Sequence, residues 1–123
     1  VVISFDDIIE KFDKCGYELL FNATKTCHPR VEGDYVMHRE QLGNYKYLNA
    51  GCCMGLTSRA REFYNTCLKY LNIDNPFNSE QFLVRHAFDE CKDKVFFDYQ
   101  CNIFQSLGKS SIEYIGKGRC SIK

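Results

Sequence analysis

The sequence has no surplus of charge of either sign and no long apolar run. Its 16 Lys and Arg residues balance 16 Asp and Glu residues, so it exerts no long-range attraction on nucleic acid or on an anionic membrane. No apolar run approaches the roughly 20 residues that a membrane-spanning helix needs. We therefore expect no nucleic-acid partner and no membrane span.

Several motifs that would identify a chemistry are missing. The chain has neither the glycine-rich loop of P-loop nucleotide-binding proteins nor the G-x-G-x-x-G turn of dinucleotide-binding domains. It lacks the G-x-S-x-G turn of serine hydrolases, and no two cysteines form a C-x-x-C pair. The last absence excludes zinc ribbons and thioredoxin-type redox sites. The sequence contains no internal repeat and no low-complexity segment, so it does not indicate a repeat protein.

The composition is that of a globular protein, with 45% hydrophobic and 15% aromatic residues in 123. This length predicts one domain, or one piece of a larger one. The eight cysteines are irregularly spaced, and the sequence alone assigns no pairing. Their even, high number slightly favours an oxidising compartment, but free cysteines also pack as small buried hydrophobes. Asn22 begins a glycosylation sequon within a predicted strand.

The first third of the chain predicts a helix followed by a buried strand. Ser4 and Asp7 form a capping box with Asp in place of Glu, and apolar residues then recur at helical spacing up to Gly16, a C-cap residue. We predict a helix from about Phe5 to Cys15. The apolar run in Tyr17–Ala23 indicates a strand covered on both faces, as in a parallel sheet.

The segment Thr26–Asn44 is predicted to be a loop, because it contains Pro29, Gly33 and Gly43 and little periodicity. It also contains four residues that could bind a metal ion. Their spacing fits no standard template, so we interpret the segment as an ordinary polar loop. The four residues are Cys27, His28, Asp34 and His38.

The rest of the chain predicts alternating strands and helices, which indicates an α/β architecture. A glycine inside a strand often marks the close approach of a ligand or another backbone, and Gly51 interrupts one such strand. His86 is interpreted as a core residue. We predict a strand over Tyr45–Leu56 and then a helix capped by Thr57 or Ser58. The apolar face of that helix would consist of Ala60, Phe63, Tyr64, Cys67, Leu68 and Leu71. The later predicted elements are a helix capped by Asn78 or Ser79 that continues to about Phe88, a bent strand pair over Val95–Asp98 and Gln100–Phe104, and weak pairing after Leu107.

Two short segments form the best candidate site, namely Asn49–Ala50–Gly51 and Glu80–Gln81. Asn and Gly at a strand end can offer an amide and exposed backbone groups to sugar hydroxyls. A carboxylate in the first turn of a helix lies among unpaired N–H groups, which favour its ionised form. The alternative is that Glu80 completes a favourable helix start and Gln81 a capping box. A thiol nucleophile at Cys52–Cys53 is a further alternative, but no residue in the sequence activates it.

Five motifs in order resemble the glycosyltransferase domain of procollagen lysyl hydroxylases and related procollagen-type glycosyltransferases. The similarity covers nearly all of residues 1–105. It consists of Ile8–Phe12 for the family's I-L-x-K-F helix, Leu20–Ala23 with Cys27–Pro29 for its V-F-S-A segment and the following Cys-aromatic-Pro, Tyr47–Gly55 for F/Y-L-N-S-G-x-x-x-G, Ser79–Gln81 for D-D-Q, and Asp98–Gln105 for D-x-x-C/S-x-I-F-Q.

The resemblance implies a Rossmann-like domain of the GT-A type, with a mixed sheet flanked by helices. Such a domain transfers a sugar from a nucleotide sugar, usually UDP-linked, to an acceptor such as a protein or glycan hydroxyl, with Mn²⁺ on the diphosphate. It implies that Glu80 is the catalytic carboxylate. Asn49, Gly51 and Gln81 would bind substrate, and Asp98 would either serve the site or only hold the strand pair.

The chain departs from the family in two respects. Ser79 replaces the first Asp of D-D-Q, and Glu80 is one methylene longer than the second. The family's D-x-D motif lies upstream of Val1, and its later metal-binding His has no counterpart here. The resemblance therefore implies the C-terminal, acceptor-side portion of such a domain, with the Mn²⁺ ligands and the rest of the domain outside residues 1–123.

Two other functions stay open. One is a catalytically inactive, transferase-like structural or binding module, which Ser79 favours. The other is a cysteine-rich secreted domain that is stapled by disulfides. The cysteine count and the family resemblance both slightly favour the secretory pathway or the ER lumen.

Overall fold

The computed structural model describes residues 4–27, 43–72, 74, 79–104 and 106, and the backbone of 112–116 and 119–122. Within these residues there are three helices and five strands. Their bounds are α1 Phe5–Cys15, β1 Leu19–Thr24, β2 Tyr47–Gly55, α2 Thr57–Leu68, α3 Glu80–Cys91, β3 Val95–Phe97, β4 Ile112–Gly116 and β5 Arg119–Ile122.

The main sheet is mixed and has the strand order β2-β1-β3. The central strand β1 pairs antiparallel with β2 and parallel with β3. The strands β4 and β5 form a separate antiparallel hairpin. A small mixed sheet with flanking helices confirms the α/β class. The apolar run of β1 is typical of a parallel sheet, but β1 is parallel only to β3, because β2 runs in the opposite direction.

The core lies between the sheet and the helices α2 and α3. Alternate residues of β1, Leu19, Phe21 and Ala23, are at most 1% exposed. Phe63 of α2 and Phe88 of α3 pack against them in one apolar cluster. Burying side chains of this size supplies roughly 1.5–3 kcal/mol each, so the α2–α3 face of the sheet carries most of the hydrophobic stabilisation.

The helix α1 begins and ends where its local sequence predicts. The Ser4 side chain accepts the Asp7 N–H at 3.1 Å, and Asp7 Oδ2 accepts the Ser4 N–H at 3.0 Å. Gly16 ends the helix in the left-handed region, with φ of 77°. Phe12 is its buried residue, whereas Phe5 is 73% exposed.

Three predicted boundaries are wrong. The residue before α2 is Leu56, and neither Thr57 nor Ser58 caps the helix through its side chain. Helix α3 continues beyond Phe88 to Cys91. The segment predicted as a second strand after β3, Gln100–Phe104, is a loop that folds around Asp98.

The predicted apolar face of α2 is only partly buried. Phe63, Thr66 and Cys67 are its buried residues, whereas Tyr64 and Leu68 are exposed. On α3, Phe82 and Val84 are buried and Leu83 is half-buried. Among the described residues, no helix has the length and apolarity that crossing a membrane requires.

An ion-pair network joins the start of β1 to α2 and to the turn before β3. Glu18 accepts Arg59 Nε at 2.7 Å, and its second oxygen lies 3.3 Å from Lys94 Nζ. Arg59 Nη1 also reaches Glu62 at 2.7 Å. The hydrogen bond from Arg59, reinforced by Lys94, lowers the pKa of Glu18 below its ordinary value of 4.5. The same bond raises the pKa of Arg59, so both groups are charged at neutral pH.

Candidate functional site

A wide bulge interrupts β2 at the predicted Asn-Gly segment. Phe21 pairs with Cys53 while its neighbour Asn22 pairs with Asn49, so that Ala50, Gly51 and Cys52 are extra residues on β2. Bulges often lie beside active sites because they redirect side chains and free backbone groups. The predicted break at Gly51 is therefore a bulge within a continuous strand.

The Gln81 side chain holds the bulge from the first turn of α3. The Ala50 N–H donates to Gln81 Oε1 at 2.6 Å, and Gln81 Nε2 donates to the Leu48 carbonyl oxygen at 2.8 Å. The amide thus pairs with β2 as a neighbouring strand would. Ser79 is the N-cap residue and makes no side-chain cap bond. The alternative in which Gln81 belongs to a capping box is wrong, because its amide binds β2, whereas Glu80 does lie in the first turn of α3, as its alternative role at the helix start requires. We call Leu48–Cys52 with Glu80–Gln81 the bulge junction.

Asn49 supports the bulge from within the strand. Its Oδ1 accepts the Gly51 N–H at 2.8 Å, while its Nδ2 group takes no part in that bond. Gly51 and Glu80 are both exposed. Three of the five predicted site residues, Asn49, Gly51 and Gln81, thus belong to one hydrogen-bonded unit at the bulge junction. Glu80 precedes Gln81 in the first turn of α3, and its side chain is exposed.

Asp98, the fifth predicted residue, lies in a different place. It follows β3, is only 5% exposed, and accepts the backbone N–H groups of Asn102, Ile103 and Phe104 at 2.9, 2.6 and 2.8 Å. Cys101 adopts the left-handed conformation, with φ of 55°, inside this turn. The carboxylate therefore organises residues 98–104 as a loop, because three charge-assisted bonds outweigh continuation of the strand.

A cleft of about 520 Å³ lies between α1 and the loop that Asp98 organises. We call this space the α1 cleft. Sequence reasoning missed it, because its walls come from two segments that are distant in the chain, residues 11–20 and 96–103, and no local pattern predicts that they meet. Its lining consists of Lys11, Lys14, Cys15, Tyr17, Leu20, Phe96, Phe97, Asp98, Tyr99, Gln100, Asn102 and Ile103.

No group of three or more His, Cys, Asp or Glu side chains within the described residues comes together to hold a metal ion. This part of the chain therefore offers no set of three such ligands for Mn²⁺. His28, Asp34 and His38 lie outside the described residues. His86 stacks on Tyr70 at 5.6 Å and meets the Phe82 ring edge at 4.4 Å, which confirms it as a packed residue.

The described cysteines are free thiols. Burial raises the pKa of Cys67 to about 11, with a further contribution from Cys91. The Cys53 thiol lies 3.8 Å from the Tyr64 hydroxyl. Burial and then Cys53 raise the pKa of Tyr64 to about 12. A hydroxyl that stays protonated at neutral pH is not a base for a thiol nucleophile. The free thiols are Cys15, Cys27, Cys52, Cys53, Cys67, Cys91 and Cys101.

Comparison with protein-family models, with curated proteins and with solved structures finds no match to this chain. A functional proposal therefore depends on the motifs of the sequence and on the geometry of the bulge junction and the α1 cleft.

Proposed function

We propose that the chain is the acceptor-side portion of a glycosyltransferase domain of the GT-A type. It would act in the transfer of a sugar from a nucleotide sugar, UDP-linked, to a protein or glycan hydroxyl. The observation that carries this proposal is the pair of bonds from Gln81 to Leu48 and Ala50. Two motifs of the resemblance, about 30 residues apart, are in direct contact through these bonds.

Each residue of the bulge junction then has a distinct role. Glu80 carries a carboxylate that can bind a sugar hydroxyl, accept a proton from the acceptor, or stabilise positive charge at the anomeric carbon. Asn49 offers its Nδ2 group, and the exposed Gly51 lets a sugar approach the backbone closely. Gln81 is a positioning residue, because both polar atoms of its amide bind β2.

The Mn²⁺ of such enzymes would neutralise charge that builds on the leaving diphosphate. Its ligands belong to the part of the domain that we propose lies outside residues 1–123. Within this chain, the bulge junction would therefore bind and orient the sugar and accept a proton, with metal and diphosphate held elsewhere.

The test is Mn²⁺-dependent hydrolysis of UDP-sugars by the full-length protein with Glu80→Gln. We expect a loss of at least about a hundredfold in turnover, the usual effect of removing a general base. Glu90→Gln is the matched control, since Glu90 lies at the other end of α3 in an exposed ion pair with Lys69. Full activity of Glu80→Gln would exclude Glu80 as the base.

A catalytically inactive sugar-binding module is the second candidate. It is favoured by Ser79, which stands at the N-cap where the family has Asp, and by the exposure of Glu80 to solvent. Titration calorimetry with UDP and Mn²⁺ on the full-length protein separates the two functions. Binding of UDP without any turnover supports the inactive module, and binding with turnover supports the enzyme.

A further inference from the structure

We propose that the α1 cleft binds a phosphorylated or otherwise anionic monosaccharide, at a site separate from the bulge junction. None of the residues Asn49, Gly51, Glu80 and Gln81 lines this cleft. The proposal does not require the chain to have transferase activity. The volume of the α1 cleft, about 520 Å³, lies within the range of small-molecule sites, roughly 300–1,000 Å³.

The charge of the cleft favours an anion. Two cations, Lys11 and Lys14, line it from successive turns of α1. Asp98 is the one acidic residue in the lining, and its carboxylate oxygens already accept three backbone N–H groups. The carboxylate is thus turned toward its own loop, which leaves the two ammonium groups to set the charge that a ligand meets.

Both ammonium groups can exchange their present partners for a ligand. Lys14 pairs with Glu10 on the helix surface, where the two side chains are 72% and 64% exposed. Pairs this exposed contribute little to stability and are readily exchanged. Lys11 Nζ donates to the Asn102 carbonyl oxygen at 3.0 Å, which uses one of its three N–H groups. The ammonium groups can therefore reach an anion while Lys11 still connects α1 to the loop.

The remaining walls suit a sugar ring. Tyr17 stacks on Phe96 with ring centroids 4.9 Å apart and planes 13° from parallel, and Tyr99 meets Phe96 edge-on at 6.0 Å. This aromatic surface is bordered by the exposed residues Gln100 and Asn102. Asn102 Nδ2 donates to Gln100 Oε1 at 3.0 Å, so one bond already joins the two amides. Aromatic faces cover the apolar C–H groups of a ring, while amides bind its hydroxyls.

The position in the fold agrees with a ligand site. The loop from Asp98 to Ile103 follows the carboxyl end of β3, which runs parallel to β1. In open α/β sheets, ligands bind beyond the carboxyl ends of such strands. The loop is also fixed in shape by Asp98, so a ligand would meet a largely preformed site and lose little affinity to ordering.

The experiment is an NMR titration of the ¹⁵N-labelled chain with glucose 6-phosphate, glucose and inorganic phosphate as separate probes. We expect glucose 6-phosphate to shift the amide signals of residues 98–104 and to bind at least about tenfold more tightly than either fragment, because each fragment lacks one half of the recognition. Binding of phosphate alone with equal affinity would overturn the sugar part of the proposal, and equal binding of glucose would overturn the anion part.

Lysine variants test the site itself. Lys14→Ala should weaken glucose 6-phosphate binding about tenfold, the usual loss for one charge-assisted bond, and Lys14→Arg should restore most of it. Lys69→Ala is the matched control, because Lys69 is an exposed, ion-paired lysine at the C-cap of α2 and does not line the α1 cleft. An unchanged affinity in Lys14→Ala, with a native spectrum, would place the binding outside the α1 cleft and overturn the proposal.

Discussion

The bulge junction and the α1 cleft satisfy their polar groups in opposite ways. At the bulge junction, the Gln81 amide and Asn49 Oδ1 are bound to the backbone of β2, so most polar atoms there maintain the shape of the strand. In the α1 cleft, one buried carboxylate fixes the loop, and two lysines border open space.

The difference shows that the residues predicted to form a site and an open binding volume need not coincide, since only Asp98 of the five predicted residues lines the α1 cleft. Four of the five predicted site residues belong to the bulge junction, where the polar bonds are internal and the exposed residues are Gly51, Cys52 and Glu80. The α1 cleft has an open volume of about 520 Å³, and three motifs of the resemblance contribute to its lining through Lys11, Leu20 and residues between Asp98 and Ile103. The following changes test this contrast, from the largest expected effect to the smallest.

Gly55→Ala should have the largest effect, because the end of β2 lies against the start of β1. An added methyl group would lie 2.7 Å from Leu19 Cα, and closer still to the Glu18 carbonyl oxygen. Both obstacles are backbone atoms, so we expect the free energy of unfolding, measured in urea, to fall by roughly 3 kcal/mol. Gly16→Ala is the control, since nothing lies within 4 Å of its site, and its left-handed φ should cost only about 1 kcal/mol. Equal losses for both would contradict the close approach at Gly55.

Asp98→Asn should come next and should act on the cleft. An amide has only one acceptor oxygen for the three N–H groups that the carboxylate now binds, and its NH₂ group would face the other donors. We expect a loss of about 2 kcal/mol in unfolding free energy. Faster amide exchange at residues 102–104 should accompany it. Asp13→Asn, an exposed change on α1, should leave the unfolding free energy and the amide exchange unaltered. If the amides of residues 102–104 stay protected from exchange in Asp98→Asn, the loop forms without the carboxylate.

Gln81→Met should have a smaller effect, confined to the bulge junction. The substitution keeps the length of the side chain but removes the bonds to Leu48 and Ala50. Because the junction is partly exposed, water can bind some of the backbone groups that Gln81 releases. We therefore expect the unfolding free energy to fall by about 1 kcal/mol. Amide exchange at Ala50 should speed up while residues 102–104 stay protected. Gln100→Met, on the exposed cleft loop, is the matched control. It removes the exposed bond from Asn102 Nδ2 but should leave amide exchange at Ala50 unchanged.

Glu18→Gln should give the smallest change and one that depends on pH. Arg59, followed by Lys94, lowers the pKa of folded Glu18 below 4.5, so the ionised group stabilises the fold above the pKa of the unfolded chain. That stabilisation is lost as the pH falls through the lower, folded pKa. The wild-type advantage in urea unfolding should therefore be present at about pH 7 and shrink toward about pH 3. In an Arg59→Met background, the effect of Glu18→Gln on the unfolding free energy should vary much less with pH; an unchanged variation there would exclude Arg59 as the cause.

Local sequence determined the elements whose ends are fixed by their own residues. The helix α1 follows from Ser4, Asp7 and Gly16, whose bonds and backbone angle stay within one helix and its caps. The existence of β1, β2, α2, α3 and β3 follows from apolar patterns in the chain. Boundaries were less accurate where no capping bond forms, as at Leu56 before α2.

Tertiary structure decided what long-range contacts control. The sequence indicated a break at Gly51, but only pairing with β1 made it a bulge of Ala50–Cys52, and only the approach of α3 gave Gln81 the backbone of Leu48 and Ala50 to bind. Likewise, Asp98 turned a predicted strand into a loop. The α1 cleft then arose because β1 and β3 pair, which brings α1 beside that loop. A local pattern contains no information about which distant backbone groups will be available, and those groups set the shape of both candidate sites.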